Sequence, residues 1–192
     1  MLEPEINKGL REWAVVCQAI HQGEQVVLVR KGGLNHPSRP ENSIPDAPFA
    51  LLKNYQFQNP TAIKVEASHL YRSQLQTTED DAKVEITTVG VVTQSLIIEN
   101  PVQIYRLWDH HIWTADYLAE RINTQPELPL SLLYVRAYVL AEPISIQRPE
   151  PLTKLVSWPD LPCTISTENA KPTLSDQQYS FRCRVIRELM EA

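Results

Sequence analysis

The feature that most constrains the fold is an apolar run near the middle of the chain, residues 130–140, which reads LSLLYVRAYVL. Leu, Val and Tyr follow one another without polar alternation, as is typical of a strand covered on both faces. The run therefore predicts a central strand of a β-sheet. Arg136 interrupts it, and a charge at a buried position requires a partner or a ligand.

Weaker patterns predict the elements around this strand. Residues 25–30 form an apolar run of strand type, and residues 83–88 alternate apolar and polar side chains. Two helices follow from good N-cap residues, one after Thr114 and one after Ser175. The last helix places four side chains on one face: Tyr179, Cys183, Ile186 and Met190.

The N-terminal segment allows two interpretations. Apolar residues at helical steps from Ile6 to Ile20 predict a helix over residues 3–23, with Gly23 at the position of a C-terminal cap. The run Trp13 to Cys17 also suits a strand, which would make residues 13–30 a β-hairpin.

Together these elements predict an α+β fold in one domain over residues 1–192. We expect a twisted, mostly antiparallel sheet or a small barrel, packed by N-terminal, middle and C-terminal helices. Four prolines predict a loop or insertion over residues 34–48, and a polar linker over residues 166–174 leads to the C-terminal helix.

Composition limits the classes of function. Lys and Arg number 18 against 23 Asp and Glu, and this net charge of -5 disfavours a basic nucleic-acid protein but allows a local basic patch. The three cysteines form no CxxC motif, the N-terminus lacks the basic region of a signal peptide, and no apolar stretch reaches membrane-spanning length. We therefore expect a cytoplasmic protein that does not enter a membrane.

A first group of candidate ligand-binding residues closes the strand at residues 25–30, where the chain reads Arg30, Lys31, Gly32, Gly33. Two cations beside two flexible backbone positions can hold a phosphate or carboxylate, because glycine lets backbone N–H groups approach an anion. The alternative is a tight turn with solvated charges. The phosphate-loop pattern GxxxxGK[ST] is absent from the sequence.

A second group lies in the run DHHIW at residues 109–113. His111 and Trp113 can line a ligand site, or they can be core residues. A metal site is disfavoured because side chains of neighbouring residues diverge on a helix or strand. Arg136 is the last candidate, either as an anion-binding arginine or as the partner of a core carboxylate such as Glu12 or Glu99.

Several of these segments, in this order, resemble the uncharacterised family called domain of unknown function 1802, which is found chiefly in cyanobacteria. The resemblance spans about residues 8 to 162. It is carried by five segments: REWAV at 11–15, LVRKGG at 28–33, HIW at 111–113, residues 129–140 with Arg136, and SW at 157–158. It implies a compact cytosolic bacterial domain and no established activity.

The chain departs from that family in one segment. Family members carry a stretch similar to PTYEHQ after the second strand, whereas residues 53–58 read KNYQFQ here. Gln56 and Phe57 replace a Glu-His pair that could act as acid and base. This difference favours a binding protein over an enzyme.

Three hypotheses of function follow. The first is a binding module for an anionic small molecule or RNA, in which Arg30, Lys31 and Arg136 contact a phosphate. The predicted helix–glycine–strand opening resembles barrel domains of the pseudouridine-synthase-and-archaeosine-transglycosylase type, which bind RNA or modified bases, and this is an analogy of fold, not evidence of function. The second is a protein-interaction module that uses residues 34–48 or the C-terminal helix. The third is a metal-assisted phosphodiester hydrolase with His111 as base and Asp109 or Glu12 as metal ligand.

The sequence contains no GxSxG, SxxK or GxGxxG motif, and no motif points to a particular cofactor.

Overall fold

The computed structural model of the protein describes residues 2–32, 47–56, 58–75, 83–147 and 157–192. Within these ranges the chain forms the following strands and helices: β1 Glu5–Trp13, α1 Ala14–His21, β2 Val27–Lys31, β3 Phe49–Asn54, α2 Ser68–Leu75, β4 Lys83–Ile98, α3 Pro101–Arg106, α4 Ala115–Asn123, β5 Leu130–Gln147, β6 Asp160–Ser166, β7 Lys171–Pro172 and α5 Asp176–Glu191. Short 3-10 turns lie at Pro60–Ala62, Val65–Ala67 and Trp108–His110.

One sheet organises the described residues. Its strands lie in the order β2-β5-β4-β3-β1-β6, and the two-residue β7 pairs with β5 outside this path. The pairs are antiparallel except for β1 and β3, which run parallel from Gly9↔Ala50 to Trp13↔Asn54. The predicted α+β fold is confirmed. The sheet is not closed, so the barrel alternative is wrong.

The long strand β5 holds the predicted interior place in the sheet. It pairs with β4 along most of its length and with β2 over residues 130–134. All residues from Leu130 to Ala137 are buried. Gly90 on β4 is required by close packing, because a Cβ there would lie 2.9 Å from Val135 and 3.0 Å from Phe49.

The N-terminal segment differs from both interpretations of its sequence. Residues 5–13 form strand β1, and the helix occupies only residues 14–21. Ile6 and Leu10 are four residues apart, a spacing that fits one helical turn and also two strand repeats. Residues 5–13 form a strand because they pair with β3 on one side and with β6 on the other. Gly23 does follow α1 with a φ of 70°, the left-handed conformation of a glycine cap.

The middle and C-terminal helices begin where the sequence predicts. The Thr114 side chain accepts a hydrogen bond from the backbone N–H of Tyr117. Ser175 and Gln178 form a capping box at the start of α5. With α1, these helices pack on the sheet around the larger of two buried apolar clusters.

Other sequence predictions concern the connections and the membrane. Of the predicted proline-rich loop, residues 34–46 lie outside the described ranges. The predicted linker at 166–174 contains β7 and the end of β6. No helix within the described ranges is long and apolar enough to cross a membrane.

Candidate functional site

A cleft opens at the carboxyl ends of the parallel strands β1 and β3, the end of a parallel pair at which α/β proteins commonly bind ligands. Its deeper part, called here the inner cavity, has a volume of about 160 Å³. Residues of five segments line it: Arg11, Glu12 and Trp13 at the end of β1, Asn54 at the end of β3, Val29 and Arg30 on β2, Trp113, Tyr117, Leu118 and Arg121 before and on α4, and Ser157.

A second, wider cavity adjoins the first and is called here the outer cavity. Its volume is about 440 Å³. Four residues line both cavities and mark their boundary: Arg30, Tyr117, Arg121 and Ser157. The outer cavity adds four polar side chains: Lys31, Glu120, Thr124 and Gln125. The two cavities together form one cleft, in which the inner cavity holds the aromatic side chains and both cavities have charged and polar linings.

A buried ion pair fixes one side of the cleft. Arg30 Nη1 donates to Glu12 Oε2 over 2.9 Å, and the side chains are only 15% and 10% exposed. The other oxygen of Glu12 accepts the backbone N–H of Trp13 over 2.8 Å. This pair uses one of the five N–H donors of Arg30. Arg30 therefore keeps donors for a ligand while its position is held.

Arg121 faces the cleft from α4 with fewer partners. Its Nη1 donates to the Tyr117 hydroxyl over 3.3 Å. Its Nε is buried and makes no hydrogen bond to any residue in the described ranges. No carboxylate of those ranges lies within 4.0 Å of it. A buried guanidinium donor without a partner is costly, so Arg121 is held at the cleft without the carboxylate that usually accompanies such a group.

Neutral and aromatic groups complete the walls. Arg11 Nη2 donates to Asn54 Oδ1 over 3.2 Å and to Gln56 Oε1 over 3.5 Å. The ring centroids of Trp13 and Tyr117 are 5.3 Å apart and their planes are tilted by 33°. Both rings line the inner cavity and give it aromatic surface that a planar group can contact.

The charge of the cleft is opposite to that of the chain. Its lining contains four cationic side chains and two carboxylates, whereas the chain has a net charge of -5. One carboxylate, Glu12, is already paired with Arg30. The cleft therefore carries a local surplus of positive charge on an acidic chain.

The predicted ligand residues Lys31, Gly32 and Gly33 are placed differently from Arg30. Lys31 Nζ donates to three backbone carbonyls at the end of α4 and just after it, those of Ile122, Gln125 and Leu128, over 3.0 to 3.2 Å. These contacts use all three donors of its ammonium group. Gly32 has a φ of 100°, and its N–H donates to the Pro129 carbonyl. Gly33 lies outside the described residues.

His111 and Trp113, which the sequence places together, occupy different surroundings. Trp113 lines the inner cavity, whereas His111 does not. The His111 side chain is buried beside Trp113, with ring centroids 5.9 Å apart. Burial, and then the charge of Lys64, lower the pKa of His111 to about 4. The imidazole is therefore neutral near pH 7 and belongs to the core.

Arg136 lies on the other side of the sheet. Arg30 pairs with Ser131 on β5, and side chains alternate along a strand, so Arg136 points to the face opposite Arg30. Its Nη2 donates to Asp176 Oδ1 over 2.6 Å at the start of α5. Arg136 does form an ion pair, but its partner is the exposed Asp176, so the expected core carboxylate, Glu12 or Glu99, is wrong. The structure does not bring Arg136 to the cleft.

Sequence reasoning missed most of the residues that line the cleft. The sequence suggests Glu12 only as a carboxylate partner or metal ligand, and it does not single out Arg121. The available signals were the REW run at 11–13 and the spacing of Tyr117 and Arg121, one helical turn apart. Within the described ranges, no group of three or more His, Cys, Asp or Glu side chains is arranged to hold a metal ion. Asp109 does not line the cleft.

Comparison with known families agrees with the resemblance in the sequence. The family described as domain of unknown function (DUF1802) matches residues 9–184. The chain belongs to this family. The DUF1802 match begins within β1 and ends within α5, so it includes every residue that lines the cleft. No curated protein and no solved structure matches the chain at a significant level.

Proposed function

We propose that the protein is a binding module whose cleft holds the phosphate of a nucleotide or nucleic acid. The observation that carries this proposal is Arg121, whose side chain lines the same cleft as Arg30, has no carboxylate partner within the described ranges and keeps an Nε without a hydrogen bond there. Guanidinium groups match the geometry of phosphate oxygens and donate paired hydrogen bonds to them. The surplus of cations over carboxylates in the lining favours an anion further.

Two other features support binding rather than catalysis. Lys31 Nζ donates to backbone carbonyls at the end of α4 and just after it, so this cation stabilises the wall of the cleft that carries Arg121. His111 is a buried neutral imidazole away from the cleft lining, which does not suit a base acting on a bound ester. The hydrolase and protein-interaction hypotheses stay predictions, as does a cytoplasmic location in a cyanobacterium.

A thermal-shift experiment tests the proposal. Inorganic phosphate, AMP and a short single-stranded RNA would each be added to the purified protein. A ligand at a hundred times its Kd adds about 2.7 kcal/mol to the free energy of unfolding and raises Tm. The rise should disappear in Arg121→Leu and persist in Arg184→Leu, a matched control at an exposed position of α5. Unchanged Tm values with all three ligands would contradict the proposal.

A further inference from the structure

We propose that the occupant of the cleft is a phosphate monoester of a planar ring compound, such as a nucleoside monophosphate. The ring lies in the inner cavity and the phosphate lies at the boundary between Arg30 and Arg121. This inference rests on the proposed function and adds to it the class and orientation of the ligand.

The inner cavity fits a planar ring in shape and chemistry. Trp13, Trp113 and Tyr117 form its aromatic walls, and Val29 and Leu118 add apolar surface. Its volume of about 160 Å³ is smaller than the roughly 300–1,000 Å³ of a site that encloses a whole small-molecule ligand. The inner cavity therefore accepts a ring-sized part of the ligand, and the remainder extends outward.

The boundary between the cavities fits the phosphate. Arg30 and Arg121 line both cavities, so a phosphate group at the boundary can contact both side chains. Arg30 donates one hydrogen bond to Glu12, and Arg121 donates one to the Tyr117 hydroxyl. The buried Nε of Arg121 has no hydrogen-bond partner within the described ranges. Two guanidinium groups with spare donors can contact several oxygens of one phosphate.

Charge distinguishes a monoester from a polynucleotide. Four cations and two carboxylates leave two positive charges in the cleft, which match a phosphate monoester that carries close to two negative charges. A diester carries one negative charge for each phosphate. The net charge of -5 over the chain also opposes the approach of a long polyanion.

Binding of a graded set of compounds to the full chain tests the inference. AMP, UMP, ribose 5-phosphate, adenosine and a single-stranded oligonucleotide without a terminal phosphate would be compared by calorimetry and tryptophan fluorescence. We expect AMP to bind at least about tenfold more tightly than ribose 5-phosphate, because stacking of a base on an aromatic side chain strengthens binding to that extent. Adenosine and the oligonucleotide should bind more weakly than AMP.

Variants test whether the difference in affinity between AMP and ribose 5-phosphate comes from the aromatic side chains of the inner cavity. Trp13→Leu should reduce the advantage of AMP over ribose 5-phosphate to less than about threefold, and Trp13→Phe should restore most of it. Trp108→Leu is the matched control, because Trp108 lies outside the cleft. Arg121→Leu should weaken AMP and ribose 5-phosphate by similar factors, since both carry the phosphate.

The outcomes separate the inference from the proposed function. Equal affinities for AMP and ribose 5-phosphate would overturn the inference and leave phosphate binding in place. An oligonucleotide without a terminal phosphate that binds as tightly as AMP would overturn it in favour of a nucleic-acid ligand. If no phosphate compound binds to the wild-type protein, the proposed function itself fails. These comparisons use the wild-type chain, so a poorly folded variant does not affect them.

Discussion

Arg30 and Glu12 form a buried ion pair across strands that are not neighbours in the sheet. Their atoms Nη1 and Oε2 are 2.9 Å apart, although β5, β4 and β3 separate β2 from β1 in the strand order. The sheet therefore curves until its first and fifth strands approach each other, and side chains rather than backbone hydrogen bonds connect them there. This junction forms one side of the cleft.

Loss of one partner from this pair should destabilise the fold strongly. Arg30→Ala leaves the Glu12 carboxylate buried without its charge partner, and such a change costs about 3–5 kcal/mol. Arg30→Met combined with Glu12→Leu should cost less than Arg30→Ala alone, since no buried charge remains. Urea unfolding of the single and double variants measures both values. If the double variant is less stable than Arg30→Ala, then the ion pair stabilises the fold by more than the neutralisation of its two buried charges.

Arg121 should behave in the opposite way. Because its buried Nε makes no hydrogen bond within the described ranges, Arg121→Leu removes an unsatisfied donor and should leave stability unchanged or increase it by about 1 kcal/mol. The same substitution should abolish phosphate binding. Tm values with and without AMP report both effects. A variant that loses several kcal/mol would assign Arg121 to the support of the fold.

His111 should make stability depend on pH. Its pKa is about 4 in the folded protein, below the ordinary value of 6.5, so the unfolded chain takes up the proton first as pH falls. The free energy of unfolding should be constant above about pH 7 and fall by about 3 kcal/mol between pH 6.5 and pH 4. His111→Leu should remove this component of the pH dependence. His69→Gln, at an exposed position, serves as the control in urea titrations across this pH range.

Arg136 should matter for stability and not for the ligand. Its guanidinium lies 4.8 Å from the ring centroid of Tyr179, and its ion-pair partner Asp176 is 98% exposed. Asp176→Asn should therefore cost less than about 1 kcal/mol. Arg136→Ala should cost about 2 kcal/mol, because a buried side chain and its cation–π contacts are lost. Phosphate binding should be equal in both variants and the wild type, and a selective loss in Arg136→Ala would contradict this assignment.

The three cysteines should react with a thiol reagent at very different rates. Cys163 is exposed, Cys183 is half-buried and Cys17 is fully enclosed. Burial raises the pKa of Cys17 and of Cys183, and this reduces the fraction of reactive thiolate. One thiol should react rapidly with Ellman's reagent, a second slowly, and the third only after unfolding. Cys163→Ser should remove the rapid phase.

Strong local patterns made much of the fold predictable. The apolar run of β5 and the N-caps of α4 and α5 each determine an element from neighbouring residues alone, and the structure confirms them. The N-terminal segment was not predictable in the same way. The spacing of Ile6 and Leu10 suits a helix and a strand equally, and the choice depends on β3 and β6, which lie far away in the sequence.

The cleft was predictable only in part, for a similar reason. Arg30, Lys31 and Trp113 were candidates because each stands in a distinctive local run, and all three line the cleft. Arg11 and Arg121 meet Arg30 in the cleft only through contacts between segments that are distant in the sequence, and neither local run predicts these contacts. Local sequence also could not place Arg30 and Arg136 on opposite faces of the sheet, since that depends on the register of β2 against β5.

The position of β1 between β3 and β6 has a consequence for synthesis of the chain on the ribosome. Arg11, Glu12 and Trp13 emerge early, yet the outer edge of their strand pairs with residues 157–166, and the backbone N–H of Arg11 donates to the Ser157 carbonyl. A nascent chain that has not yet reached residue 157 therefore carries an unpaired edge on β1 and an incomplete cleft. The cleft is complete only after Ser157 has been synthesised and paired with β1, so binding of the proposed ligand would follow the synthesis of that segment.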